Sequence, residues 1–71
     1  MTRKIGEIFK DGENTYIVVQ TDKKYPMKCY NCDYFHYSQI ICGGNLRITG
    51  DCILNYRDDN NSVIFKKIIN L

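Results

Sequence analysis

Apolar and polar positions alternate most clearly toward the two ends of the chain. Residues 15–21 are dense in β-branched and aromatic side chains and read as a strand. With a period of two, Ile17 and Val19 share one face and Tyr16 and Val18 the other. Two apolar faces predict a central place in a sheet. Ahead of it, residues 5–9 form a shorter strand. The Asp11-Gly12 step within residues 10–14 supplies the positive φ of a tight hairpin turn. Toward the other end, residues 52–57 read as a strand, 58–61 as a polar turn and 62–69 as a second strand, together a hairpin. Val63 and Phe65 point one way, Ile64 and Ile68 the other, so this strand too is expected to be covered on both sides. Lys66 and Lys67 mark its approach to solvent or to a sheet edge.

The middle is less regular. Pro26 breaks the pattern, and residues 33–41 fit a single helical turn or a short third strand equally well. Gly43, Gly44 and Asn45 form a turn, and residues 46–49 read as a short strand ended by Gly50 and Asp51. No long amphipathic helix, internal repeat or low-complexity tract is visible. The predicted fold is a small, mostly β domain spanning residues 1–71. Its antiparallel sheet comes from an N-terminal and a C-terminal hairpin, with a cysteine-rich loop region between them.

Size sharpens the picture. Below ~70–80 residues a hydrophobic core alone rarely supplies more than roughly 3–5 kcal/mol, so a chain of 71 residues calls for a disulfide, a metal or a partner. Its hydrophobic fraction of 44% argues against disorder. Ten basic and eight acidic residues leave a net charge of +2, too balanced to demand a nucleic-acid or membrane partner. Lys23, Lys24 and Lys28 cluster ahead of the first cysteine and read first as a solvated edge. Neither a signal peptide nor a membrane span is apparent. A cytoplasmic setting is therefore expected, where thiols stay reduced and clustered cysteines more often bind metal than pair.

The chemistry lies in Cys29, Cys32, Cys42 and Cys52. Cys29 and Cys32 have the two-residue spacing that lets two sulfurs converge. Cys42 and Cys52 each follow their predecessor after nine residues. Four thiolates suit tetrahedral Zn2+, with Zn–S near ~2.3 Å. The glycines after Cys42 allow backbone N–H groups to turn toward its sulfur, and Lys24, Lys28 and Arg47 offset part of the negative charge. The second half lacks its own Cys-x-x-Cys, so the paired spacing of zinc ribbons is absent. Three other readings stay open. Disulfides such as Cys32–Cys42 or Cys42–Cys52 would stabilise by roughly 2–4 kcal/mol. Free thiols would serve as small hydrophobes. A redox pair at Cys29 and Cys32 lacks the surrounding βαβ pattern.

His36 falls one place early for a zinc knuckle, and the knuckle's glycines are missing, so it reads first as a loop aromatic, with ligation as the second reading. Tyr25, Tyr30, Tyr34, Phe35 and Tyr37 form an aromatic segment that either extends a thin core or presents a binding face. No paired carboxylates, activated serine or phosphate loop supports catalysis, and the acidic turn at 58–61 lacks the length of a calcium loop. The chain is not expected to be an enzyme.

Three blocks carry a resemblance: Lys4 to Phe9, then Cys29-x-x-Cys32-x-x-Phe35, then Arg57-x-Asp59-x-x-Ser62 to Lys66. Together they resemble small cysteine-containing proteins of unknown function from gut Bacteroidales and their phages and mobile elements. Members of that group tend to carry two further cysteines after the Cys-x-x-Cys. The resemblance implies the same β, cysteine loop, β organisation in a cytosolic bacterial protein, and no activity.

The expected function is thus a non-enzymatic, cysteine-stabilised, zinc-binding interaction module. Its metal ligands would be Cys29, Cys32, Cys42 and Cys52, and a protein partner would dock on Tyr30, Tyr34 and Tyr37. The alternatives are a knuckle-like binder of single-stranded nucleic acid, using those tyrosines with Lys24 and Lys28, or a disulfide-stabilised domain without metal.

Overall fold

The computed structural model describes residues 2–24, 27–36, 38–39 and 41–68. Strand β1 (Ile8–Asp11) turns through Gly12 and Glu13 into β2 (Asn14–Gln20), pairing Phe9 with Tyr16 and Asp11 with Asn14. Gly12 sits at φ +62°, the left-handed conformation the hairpin pattern demanded of it. β1 begins later than the expected residues 5–9. The Gly6 N–H donates to the Val18 carbonyl at 2.8 Å and the Val18 N–H to the Glu7 carbonyl at 3.0 Å. Two residues thus oppose one, a bulge with Gly6 at φ +87° in its first position. Because the turn needs only two residues, the strand continues through Lys10 and Asp11.

β2 is the middle strand, as its two apolar faces required. Its second neighbour is β5 (Val63–Ile68), antiparallel, with Val18 opposite Phe65 and Val19 opposite Ile64. The sheet order is β1-β2-β5. The architecture is therefore mostly β and antiparallel, but the first arm of the expected C-terminal hairpin is not a strand. Residues 52–57 form loop and a short 3-10 turn over Leu54–Tyr56.

The Arg57 side chain explains why. It is buried and donates to the carbonyls of Asp51 (2.9 Å) and Arg3 (2.7 Å) and to both carboxylate oxygens of Asp59 (3.0 and 2.7 Å). These bonds fold the segment around a guanidinium, and β5 takes its ladder from β2 instead.

Among the described residues of 33–41, Phe35, His36 and Ile41 are strand. β3 (Phe35–His36) pairs with β4 (Ile41–Cys42) in a small separate hairpin. Residues 46–49, expected as a strand, are the one-turn helix α1 (Leu46–Thr49). The Asn45 side chain accepts the Arg47 N–H at 3.0 Å, an N-cap the strand reading overlooked.

One face of the sheet carries the core: Phe9, Tyr16, Val18, Val63 and Phe65, with Tyr34 laid across from the loops. Tyr34 stacks on Tyr16 at 4.4 Å between centroids, and Phe65 meets Phe9 and Tyr34 edge-on at 5.7 and 5.9 Å. Each such pair adds ~0.5–1.5 kcal/mol beyond simple burial. The Arg3 guanidinium lies 4.2 Å from the Phe9 ring centroid and closes the cluster near the N-terminus. Val63, Ile64 and Phe65 are all buried, so β5 is covered on both faces as expected. Cys32, Ile48 and Cys52 pack against the cluster, which makes the cysteine loops the roof of the interior.

Candidate functional site

Cys29 lies in a 3-10 turn over Met27–Asn31, and Cys32 follows it, its N–H donating to the Cys29 carbonyl at 3.1 Å. Cys42 ends β4, and Cys52 lies in the loop after α1. From these separate places all four cysteines line one cavity of about 40 Å³, walled by Tyr34, Phe35, Leu46, Val63 and Phe65. All four are free thiols. Cys42 is exposed at the rim, and the others are half-buried.

The sulfurs form one electrostatic unit. Burial pushes the Cys29, Cys32 and Cys52 thiols above their ordinary range, and neighbouring sulfurs push each further. Backbone amides pull the other way at Cys32, whose Sγ accepts the Phe65 N–H at 3.4 Å. Cys42 Sγ accepts the Gly44 N–H at 3.4 Å, the arrangement anticipated from the glycines that follow it. Amide donors of this kind stabilise a sulfur that carries negative charge, as a metal-bound thiolate does.

Lys28 is the residue sequence reasoning placed wrongly. It is only 1% exposed, with its ammonium inside, donating to the carbonyls of Cys52 and Val63, the latter at 3.0 Å. Burial lowers its pKa, and the nearby sulfurs of Cys52, Cys29 and Cys32 oppose that lowering only in part. Among the described residues no carboxylate pairs with it. A buried cation without an acidic partner is costly unless other negative charge lies close. Here the sulfurs would supply it only as thiolates, the form that a bound metal ion stabilises. The expected lysine cluster is therefore split: Lys23 and Lys24 face outward and Lys28 faces in. A separate groove of about 310 Å³ runs between Lys24, Lys28, Ile53, Leu54, Asn55 and Ser62.

Among the described residues, no group of three or more His, Cys, Asp or Glu side chains forms a set able to hold a metal ion. The sulfurs thus ring a common space without meeting at a point. The donor chemistry fits a thiophilic ion, and the sulfurs would have to draw inward to coordinate one. His36 does not line the cavity. It is exposed on β3 and lies against the Gly43 backbone, where an added Cβ would fall 2.4 Å from its Nε2.

The aromatic segment divides. Tyr34 belongs to the core, its hydroxyl donating to Asp11 Oδ2 at 2.9 Å, and is closed to a partner. Tyr30 is exposed and meets Phe35 edge-on at 5.3 Å. Tyr25 and Tyr37, like Pro26, lie outside the described residues. Met27, Tyr30, Ile41 and Leu46 are exposed apolar side chains carried by the same loops that carry the cysteines.

The site also finishes the sheet. The outward backbone groups of β5 have no neighbouring strand among the described residues, yet the cysteine segment meets them in turn. The Val63 N–H donates to the Cys52 carbonyl at 3.2 Å, and the Val63 carbonyl accepts from Lys28. The Phe65 N–H meets Cys32 Sγ, and the Phe65 carbonyl accepts the Asp33 N–H at 3.0 Å. The Lys67 N–H donates to Asp33 Oδ2 at 2.5 Å. Each covering group comes from a cysteine or from its immediate neighbour in sequence. Nothing in the one-dimensional pattern signals this, because it depends on where two loops return.

No helix among the described residues is long and apolar enough to cross a membrane. Comparison with family models, curated proteins and solved structures returns no match.

Proposed function

We propose that this chain is a small, non-enzymatic interaction module whose cysteine cluster binds structural Zn2+ in a reducing, cytoplasmic setting. The observation that carries the reading is the convergence of Cys29, Cys32, Cys42 and Cys52, from a 3-10 turn, a strand end and a loop, on one cavity against the core. A thin interior gains from such a tether, and the amides at Cys32 and Cys42 with the buried Lys28 ammonium supply positive potential to it. Thiols held above their ordinary range by burial do not suit a nucleophile, which needs a thiolate at neutral pH. The exposed Met27, Tyr30, Ile41 and Leu46 around the sulfur loops are the surface offered to a protein partner.

Nucleic-acid binding has less support, because burial withdraws Lys28 from the surface cations. The test is intact mass of reduced, untagged protein under native and denaturing conditions, with metal analysis. One zinc per chain, lost on denaturation, is expected. Metal-free protein with four free thiols that does not take up added zinc would overturn the reading.

A further inference from the structure

We infer that the cysteine cluster is a clasp over the outer edge of β5, and that opening it creates a strand-pairing surface for a second copy of this chain. Five backbone groups on that edge, the N–H and carbonyl of Val63, the N–H and carbonyl of Phe65 and the N–H of Lys67, are closed by Lys28, Cys32, Asp33 and Cys52. Lys28 directly precedes Cys29, and Asp33 directly follows Cys32. A tether drawn among the four sulfurs would therefore also anchor the segments that carry these covering groups. Released, they leave a run of unpaired donors and acceptors on a strand whose other edge is already fixed to β2.

A second copy fits that edge. Antiparallel pairing about a two-fold axis at Phe65 aligns the outward groups of residues 63, 65 and 67 in one chain with 67, 65 and 63 in the other. That register sets Lys67 opposite Val63 and Lys66 opposite Ile64, so no like charges face each other directly. The product would be a six-stranded sheet across two chains, each contributing its order β1-β2-β5.

The trigger rests on the zinc reading; the edge geometry does not. The experiment first measures zinc per chain in reduced protein, then removes it with EDTA in the presence of a phosphine reductant. Molar mass by light scattering and amide hydrogen exchange are followed across a concentration series. The expected result is a monomer when loaded and a doubled mass when stripped and concentrated. In stripped, dilute protein the Val63, Phe65 and Lys67 amides should exchange roughly tenfold faster or more, while Ile64 and Lys66, which bond to β2, stay protected. Protection at Phe65 should return as the dimer forms.

A stripped chain that stays monomeric when concentrated overturns the inference. So does simultaneous loss of protection at Ile64 and Lys66, which would mean that the sheet melts before its edge opens. If the reduced protein holds no zinc, the proposed function fails on its own, and the Cys32→Ser, Cys52→Ser double variant opens the clasp under the same criteria.

Discussion

The Lys28 ammonium donates to the main-chain carbonyl of Cys52, linking the turn that carries the first cysteine to the loop that carries the last. The same nitrogen also holds the Val63 carbonyl on β5 at 3.0 Å. Three segments distant in sequence are thus joined through one side chain. Replacing it by methionine keeps most of the buried stem and removes both bonds. Lys28→Met should destabilise the fold by ~1–3 kcal/mol, the cost of two carbonyls left without a partner, less the relief of a buried charge. Urea unfolding at unchanged m-value measures it.

The cysteines should not be equivalent. Cys32 packs on the core and accepts the Phe65 N–H, whereas Cys42 is exposed at the rim. Cys32→Ser should therefore cost more stability than Cys42→Ser, by about 1–2 kcal/mol, through poorer packing and a disturbed contact with β5. Thermal melts of the two variants, each with and without added zinc, give the order. If zinc is the tether, EDTA should lower the melting temperature of the parent more than that of either variant.

Tyr34 offers a two-step dissection. Its ring lies between Tyr16 and Phe65, while its hydroxyl reaches Asp11 beside the hairpin turn. Tyr34→Phe removes only the hydrogen bond and should cost ~0.5–1.5 kcal/mol. Tyr34→Ala also empties the space between the sheet and the sulfur loops and should cost ~3–5 kcal/mol. Equal effects from the two changes would show that the ring packing contributes little.

Acid should act through Asp59. Hydrogen bonds from the Arg57 guanidinium, then from the Asn61 N–H, lower its carboxyl to about 2. A depressed native value means that the carboxylate stabilises the fold above its ordinary unfolded range near ~4. That contribution should fade as pH falls from about 4 toward 2 and be absent below. Unfolding measured across this window should show the slope in the parent, with Asp59→Asn lacking its share. The Asp59 side-chain chemical shift should report the midpoint directly.

Much of the sheet was legible because its strands obey period two under burial. Tyr16 and Val18 on one face and Ile17 and Val19 on the other gave β2 its central place, and Asp11-Gly12 located the hairpin. Residues 52–57 misled because Ile53, Leu54 and Tyr56 look like a strand when read locally. Their conformation is set by Arg57, whose partners Arg3 and Asp51 lie on other parts of the chain. Lys28 was counted with Lys23 and Lys24 because spacing alone does not show which way a side chain leaves a 3-10 turn. Number and spacing singled out the four cysteines that line one cavity, but did not show that they form no metal-holding set among the described residues. Their role in covering β5 was not legible, since a hydrogen bond to a sheet edge leaves no periodic trace.

The placement of β5 against β2 sets an order of assembly. The β1–β2 hairpin is local and can form on the microsecond scale of such units. β5 can join only after the whole cysteine segment has been spanned, an entropic toll that local contacts do not offset in advance. Early collapse would leave the apolar face of the hairpin bare. A ligand that gathers the thiols of the unfinished chain would shorten that search, so the tether that guards the native state should also quicken arrival at it.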